Sequence, residues 1–386
     1  MMETVQGPGQ FRHHMLREIH EQPDALSRTL DQYIDLANPT PQLREETLAG
    51  AARLFRHHPD LIITASGSSR HAGLAAEILF EDLAGLMVDV EYASEYACRS
   101  THLRRHPESP TPVLVISQSG ETADTLAALR EANRRGHPTI AVSNVSQSTM
   151  MHEAMVPLCT HAGVEQAVPA TKSFTTQLLL MEVLALLAAR ELHSMAEDEI
   201  EARLQQLGAL PGSVRSQLPG WEQSTSVLAA KYADAKTFLY LGRGVHYAIA
   251  REGALKLKES SYLHAEGYPA GELKHGPNAL VSDEVPLVVL ATFDSQEPES
   301  MLRYEKTISL LYDMRQQGAR VLAISNAGDN TVRSLATDTV DVAPVSEALL
   351  PIAEVIPLQL FAYFMAVHHG VDVDRPRNLS KAVVQE

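Results

Sequence analysis

Cysteine is scarce: Cys98 and Cys159 are the only two among 386 residues, and they form no CxxC. That excludes a disulfide framework and a zinc ribbon, and it fits a reducing, cytoplasmic setting. Positive charge is also short, since 32 Lys and Arg against 48 Asp and Glu leave a net charge of −16. A nucleic-acid partner needs a basic footprint and is not expected. An anionic small substrate is still compatible, because a local site can be built from backbone N–H groups. The start, MMETVQGPGQFRHHML, has no apolar stretch of the signal-peptide kind. The most apolar run, Leu178–Ala189, is interrupted by Glu182 and is too short to span a membrane, so it reads as a buried helix. GxGxxG, GxxxxGK[ST], HExxH and GxSxG are all missing, which leaves nicotinamide, ATP, zinc-hydrolase and nucleophile-elbow chemistry without support. The His-His pairs at 13–14, 57–58 and 368–369 lack any metal-ligand spacing and read as surface residues. No metal or cofactor is expected.

What is present is alternation. Short apolar runs at 61–66, 87–94, 112–117 and 138–144 are separated by helical patterns, and the same rhythm returns at 236–244, 286–292 and 319–326. Strands alternating with helices of ten or more residues predict an α/β fold with parallel, doubly wound sheets flanked by helices. The length calls for two domains. The rhythm is also an internal repeat: Gly67 and Gly242 lie 175 positions apart, and Ser143-Asn144 and Ser325-Asn326 lie 182 apart. The expected organisation is an N-terminal helical segment (1–40), a first unit (41–194), a polar helical linker (195–222), a second unit (223–369) and a C-terminal tail (370–386). Pro211-Gly212 and Pro219-Gly220 place the boundary in the linker.

Two stretches carry chemistry. The first repeat has hydroxyl-rich turns after two strands, Ser66-Gly67-Ser68-Ser69 and Ser117-Gln118-Ser119-Gly120-Glu121-Thr122. In an open α/β sheet, ligands bind beyond the carboxyl ends of strands, where helix N-termini offer N–H groups to a phosphate. Side-chain capping uses the same geometry, so spacing alone leaves both readings open. The second stretch is Arg251–Leu280, REGALKLKESSYLHAEGYPAGELKHGPNAL. Lys256 and Glu259 share one face of a helix, and a loop with Gly267, Pro269 and Gly271 leads to His275. An acid, a base and a histidine together point to proton transfer, against the alternative of a solvated amphipathic helix.

Several longer motifs, SQSGETADTL, AVPATKSFTTQ, EGALKLKESSYLHAEGYPAGELKHGP and VDVDRPRNLSKAV, resemble the sugar-isomerase half of the glutamine–fructose-6-phosphate aminotransferase family. They also resemble the stand-alone glucosamine-6-phosphate deaminases of the same fold. The resemblance runs from about Phe11 to the C-terminus. It implies tandem SIS (sugar isomerase) domains in a homodimer. It places phosphate binding on Ser117, Gln118, Ser119 and Thr122, with Ser68 and Ser69 nearby. The isomerisation base falls on Glu259, its lysine partner on Lys256, and the ring-opening histidine on His275, supplied across the subunit interface. Lys381 takes the position of the Schiff-base lysine or closes the tail, with Ser380 where the family more often has alanine. Val168 lines the substrate, although Pro169-Ala170 replaces the family's usual Ala-Ser.

The aminotransferases carry an N-terminal glutaminase domain whose nucleophile is an N-terminal cysteine, whereas this sequence begins Met1-Met2-Glu3. The expectation is therefore a deaminase that converts glucosamine 6-phosphate, a phosphorylated amino sugar, into fructose 6-phosphate and ammonia. The alternatives are another phosphosugar isomerase or amino-sugar-phosphate deaminase, a non-catalytic sugar-phosphate sensor, or a synthase half served by a separate glutaminase. No membrane partner is expected.

Overall fold

A computed structural model describes residues 9–37, 40–99 and 110–383. Residues 1–8, 38 and 39 of the expected N-terminal segment lie outside that range. The chain divides into two compact units. One comprises residues 24–163, 173–211 and 382–386; the other comprises 1–23, 164–172 and 212–381. They are termed the first-repeat and second-repeat units.

A two-stranded antiparallel pair, β1 (Ile34–Asp35) and β2 (Gln42–Leu43), precedes the first large sheet. That sheet is built from β3 (Asp60–Ala65), β4 (Met87–Tyr92), β5 (Val113–Ser117), β6 (Thr139–Ser143) and β7 (Val156–Cys159). All its neighbours pair in parallel, in the order β4-β3-β5-β6-β7. The second sheet contains β8 (Thr237–Gly242), β9 (His264–Pro269), β10 (Leu287–Ala291), β11 (Val321–Asn326) and β12 (Asp338–Val342). Read from β9, its order is β9-β8-β10-β11-β12, again fully parallel. Both sheets thus follow the doubly wound order 2-1-3-4-5, and the repeat holds strand for strand.

Every residue of β3, β5, β6, β10 and β11 is buried, because helices cover both faces of a parallel sheet. Their Val, Ile and Leu pack against helices such as Ala123–Arg134 in the first sheet and Pro298–Gln316 in the second. The polar bridge runs further than its composition indicates: residues Glu197–Tyr232 form one helix of 36 residues that continues through Pro211-Gly212 and Pro219-Gly220. The apolar run lies within the helix Lys172–Leu192; this helix and Glu347–His368 are long and apolar enough to cross a membrane, but their apolar windows are 100% and 89% buried. Burial of that kind marks core helices.

Candidate active site

In the first-repeat unit the strand order reverses between β3 and β5, and that switch point is where doubly wound sheets bind ligands. Both hydroxyl-rich turns sit there, one after each strand. Ser66 and Thr122 are the N-cap residues of helices Gly67–Ala84 and Ala123–Arg134, yet neither side chain caps its helix. The hydroxyls instead shape the turn itself. Gly120 N donates to Ser117 Oγ at 3.1 Å, Glu121 N donates to Ser119 Oγ at 3.1 Å, and Ser117 shares a hydrogen bond with Thr122 at 3.4 Å. Gly120 has φ +67°, and a Cβ there would lie 2.1 Å from Ser148 Oγ, so only glycine fits this turn. The Gln118 carbonyl accepts from Asn144 N at 3.1 Å, which fixes the turn against the end of β6. Within the same unit the Val383 carbonyl accepts from Ala123 N at 2.9 Å, so the C-terminal tail already occupies one donor of that helix terminus. Ser69 is buried and accepts from Gln177 Nε2 at 3.1 Å, while Ser68 is half-buried in the first helical turn.

In the second-repeat unit the stretch around Lys256 is a helix, Val245–Ser261, that ends at Tyr262 in the left-handed conformation, φ +61°. It packs along helix Leu350–His368, and this burial turns its charged residues from a solvated face into a site. Lys256 is 1% exposed. Its Nζ donates to Glu259 at 2.5 Å and lies 3.5 Å from the buried Glu252. Burial disfavours its ammonium, but the carboxylates of Glu259 and Glu252 more than offset this, so its pKa is raised and it stays charged. Glu259 is 22% exposed on its side chain, leaving a carboxylate that is held in place but reachable.

The segment after this helix differs from the expected loop. Residues His264–Pro269 are edge strand β9, and Ala270–His275 form a 3-10 helix. Gly267 lets β9 lie directly on the Lys256 helix, since a Cβ there would come 2.6 Å from Arg251 Cα. His275 is exposed at the end of the 3-10 helix. Among the described residues no hydrogen bond or ion pair joins it to Lys256 or Glu259, so one chain brings the lysine and glutamate together and leaves the histidine apart.

The tail brings in Lys381. Its Nζ donates to Glu165 Oε2 at 2.6 Å and to the Ala167 carbonyl at 2.7 Å. Glu165 also accepts from Thr171 N at 2.9 Å, and its charge acts on Lys256. Val168, half-buried, donates its N–H to the Asp374 carbonyl at 3.0 Å. The Asp374 carboxylate accepts from His14 N and Met15 N at 2.9 and 2.8 Å. Sequence reasoning does not single out Glu165 or Asp374. Their partners lie far along the chain, and no local spacing announces them.

The second-repeat switch point, between β8 and β10, is filled by its own side chains. His246 Nδ1 pairs with the buried Glu354 at 2.7 Å, and its Nε2 lies 3.3 Å from Glu347, which Arg303 also holds at 2.8 Å. Burial opposes the imidazolium, but the two carboxylates override it and raise the pKa of His246 to about 10. A cavity of about 660 Å³ at the ends of β10 and β11 is lined by Phe293, Asp294, Tyr304, Asn326 and Asp329. It is remote from Lys256 in sequence and carries two carboxylates, which would repel a phosphate. We therefore place no phosphosugar there. Among the described residues no three His, Cys, Asp or Glu side chains are grouped so as to hold a metal.

The fold is thus a tandem repeat of a doubly wound parallel unit, with hydroxyl-rich turns at the switch point of the first copy and a lysine–glutamate pair on a helix of the second. The SIS domain family model matches residues 54–187 and 231–369, and the chain belongs to the SIS family of sugar-phosphate isomerases. It is 40% identical over 98% of its length to glutamine–fructose-6-phosphate aminotransferase [isomerizing] of Chlorobaculum tepidum, covering 59% of that protein. It is 42% identical to the Thermus thermophilus protein of the same name, with 98% and 60% covered. The chain thus spans about three-fifths of the length of these curated relatives. Among solved structures it is similar to the C-terminal domain of glucosamine-fructose-6-phosphate aminotransferase from Francisella tularensis, at TM-score 0.87 and 32% identity, covering 96% of this chain and 100% of that one. Glucosamine-6-phosphate deaminase from Thermotoga maritima shares the fold at TM-score 0.69 and 22% identity, covering 96% and 99%. The likeness to a stand-alone deaminase is therefore one of fold, and the closer sequence likeness is to aminotransferases.

Proposed function

We propose that the chain isomerises and deaminates glucosamine 6-phosphate to fructose 6-phosphate and ammonia. The observation that carries this is the pairing of the buried Lys256 with the reachable Glu259, a carboxylate held 2.5 Å from a lysine that stays charged. In this reading Ser117, Gln118, Ser119 and Thr122, with Ser68 and Ser69, take the phosphate through hydroxyl and N–H donors. His275, supplied by a partner subunit in a homodimer, opens the sugar ring by moving a proton from the anomeric hydroxyl to the ring oxygen. Glu259 then carries a proton from C2 to C1 through an enolamine, while Lys256 stabilises the developing oxyanion or relays a proton. Water adds to the resulting ketimine and ammonia leaves. Val168 borders the substrate, and Lys381 forms a Schiff base with the ketose or closes the tail.

The names of the sequence relatives favour a second reading, the isomerising part of an aminotransferase that works toward glucosamine 6-phosphate. A coupled ammonia assay with glucosamine 6-phosphate, galactosamine 6-phosphate and N-acetylglucosamine 6-phosphate separates these, run beside fructose 6-phosphate with ammonium. Ammonia release from glucosamine 6-phosphate supports the first reading. Synthesis only from fructose 6-phosphate supports the second, and turnover of neither amino sugar nor ketose rejects both.

A further inference from the structure

Glu18 is the one fully buried carboxylate of the N-terminal helix His14–His20, on the same face as Met15 and Ile19. A bare carboxylate is costly to bury unless it is hydrogen-bonded. Glu18 accepts from two successive backbone N–H groups, Gln166 N at 2.5 Å and Ala167 N at 3.2 Å. Those residues lie within the segment that cradles Lys381, whose ammonium is gripped by the Glu165 carboxylate and the Ala167 carbonyl. Ala167 is thus clamped at both ends, its N–H by Glu18 and its carbonyl by Lys381. Asp374 ties the same helix and segment to the tail.

We propose that Glu18 is a positioning residue for Lys381: by holding the N–H groups of residues 166 and 167, it sets the cradle that fixes where the lysine ammonium sits. The groups that face it are Arg17 on its own helix, Glu165 and Lys172 on the segment, and Lys381 on the tail. Burial and the charge of Glu165 raise the Glu18 pKa to about 7, against the opposing pull of Gln166 N–H, Lys381 and Lys172. Below that pH one oxygen becomes a hydroxyl and stops accepting, so the cradle loosens. Above it the cradle is firm.

The positioning role rests on the reading of Lys381 as a substrate-facing lysine, and its test uses a readout independent of catalysis. In the full chain, lysines are reductively methylated with ¹³C-formaldehyde, and the Lys381 signal is assigned by its loss in Lys381→Arg. In the unmodified sequence the Lys381 signal should show an inflection near pH 7. Glu18→Gln should abolish that inflection and raise the Lys381 methylation rate about fivefold, the change expected from one lost hydrogen bond. Lys231, exposed and paired with Asp338, should be unaffected. Glu165→Gln should free Lys381 as well, and adding Glu18→Gln to it should change the rate little, because both act through one cradle. An unchanged Lys381 rate and inflection in Glu18→Gln would overturn the proposal, as would full additivity in the double variant. Should Glu18→Gln not fold, an unchanged Lys381 methylation rate in Glu18→Asp, whose shorter side chain draws the carboxylate back from the N–H groups of residues 166 and 167, would do the same. If the lysine readouts respond while no phosphosugar is turned over, the functional reading fails and only the structural coupling of Glu18 to Lys381 stands.

Discussion

Lys256 shows how burial changes what a residue can do. On composition it belongs to a helix with ordinary ion pairs; packed beneath helix Leu350–His368 it becomes a permanent cation beside a reachable carboxylate. The proposed phosphate assignment is tested residue by residue. Ser119→Ala removes the hydroxyl that accepts from Glu121 N, and steady-state kinetics should show KM for phosphorylated sugars rising about tenfold with kcat changed much less. Glu182 is a separate case, a carboxylate buried in helix Lys172–Leu192 whose pKa burial raises to about 7, with the charge of Arg203 pulling the other way. A folded-state pKa above the unfolded value means the folded chain binds the extra proton. Stability from this group is therefore full at low pH and lost as pH rises through about 7, by at most roughly 3 kcal/mol. Glu182→Gln should raise the melting temperature at pH 8 and leave it nearly unchanged at pH 5; equal effects at both pH values would contradict that sign.

Elements were legible where their composition was one-sided. The buried strands β3, β5, β6, β8, β10 and β11 stand out as runs of Val, Ile, Leu and Phe. The strands of the two large sheets not foreseen were β7, β9 and β12, and all three are sheet edges. β9 and β12 expose most of their side chains in part, so HAEGYP and DTVDV lack the continuous apolar run that marks a buried strand. The long helix Glu197–Tyr232 escaped for the opposite reason, because its Pro-Gly pairs signal a break that packing overrides. Gly212 and Gly220 are exposed in that helix, and a Cβ added at either would meet nothing within 4 Å. Gly212→Ala and Gly220→Ala should each stabilise the chain by ~0.5–1 kcal/mol in urea unfolding, through helix propensity alone. A loss of stability in either would mean that the glycine serves a bend.

At the scale of the molecule, the repeat visible in the strand endings extends to the whole sheet order. The side chains at the two switch points, however, differ. The first-repeat switch point keeps hydroxyls and turn N–H groups at strand ends, whereas the second is filled by His246, Glu347, Glu354 and Arg303. The motif residues were visible in the sequence because they lie in continuous stretches. Glu18, Glu165 and Asp374 were not, because each acts on residues distant in the chain. Glu259 as the proton carrier between C2 and C1 is the step on which the proposed function turns. It is tested by turnover of glucosamine 6-phosphate deuterated at C2, followed by NMR. Fructose 6-phosphate with part of the deuterium at C1 is expected from the unmodified chain, and a rate at least about 10²-fold lower from Glu259→Gln with substrate binding retained. Undiminished turnover in Glu259→Gln would contradict it.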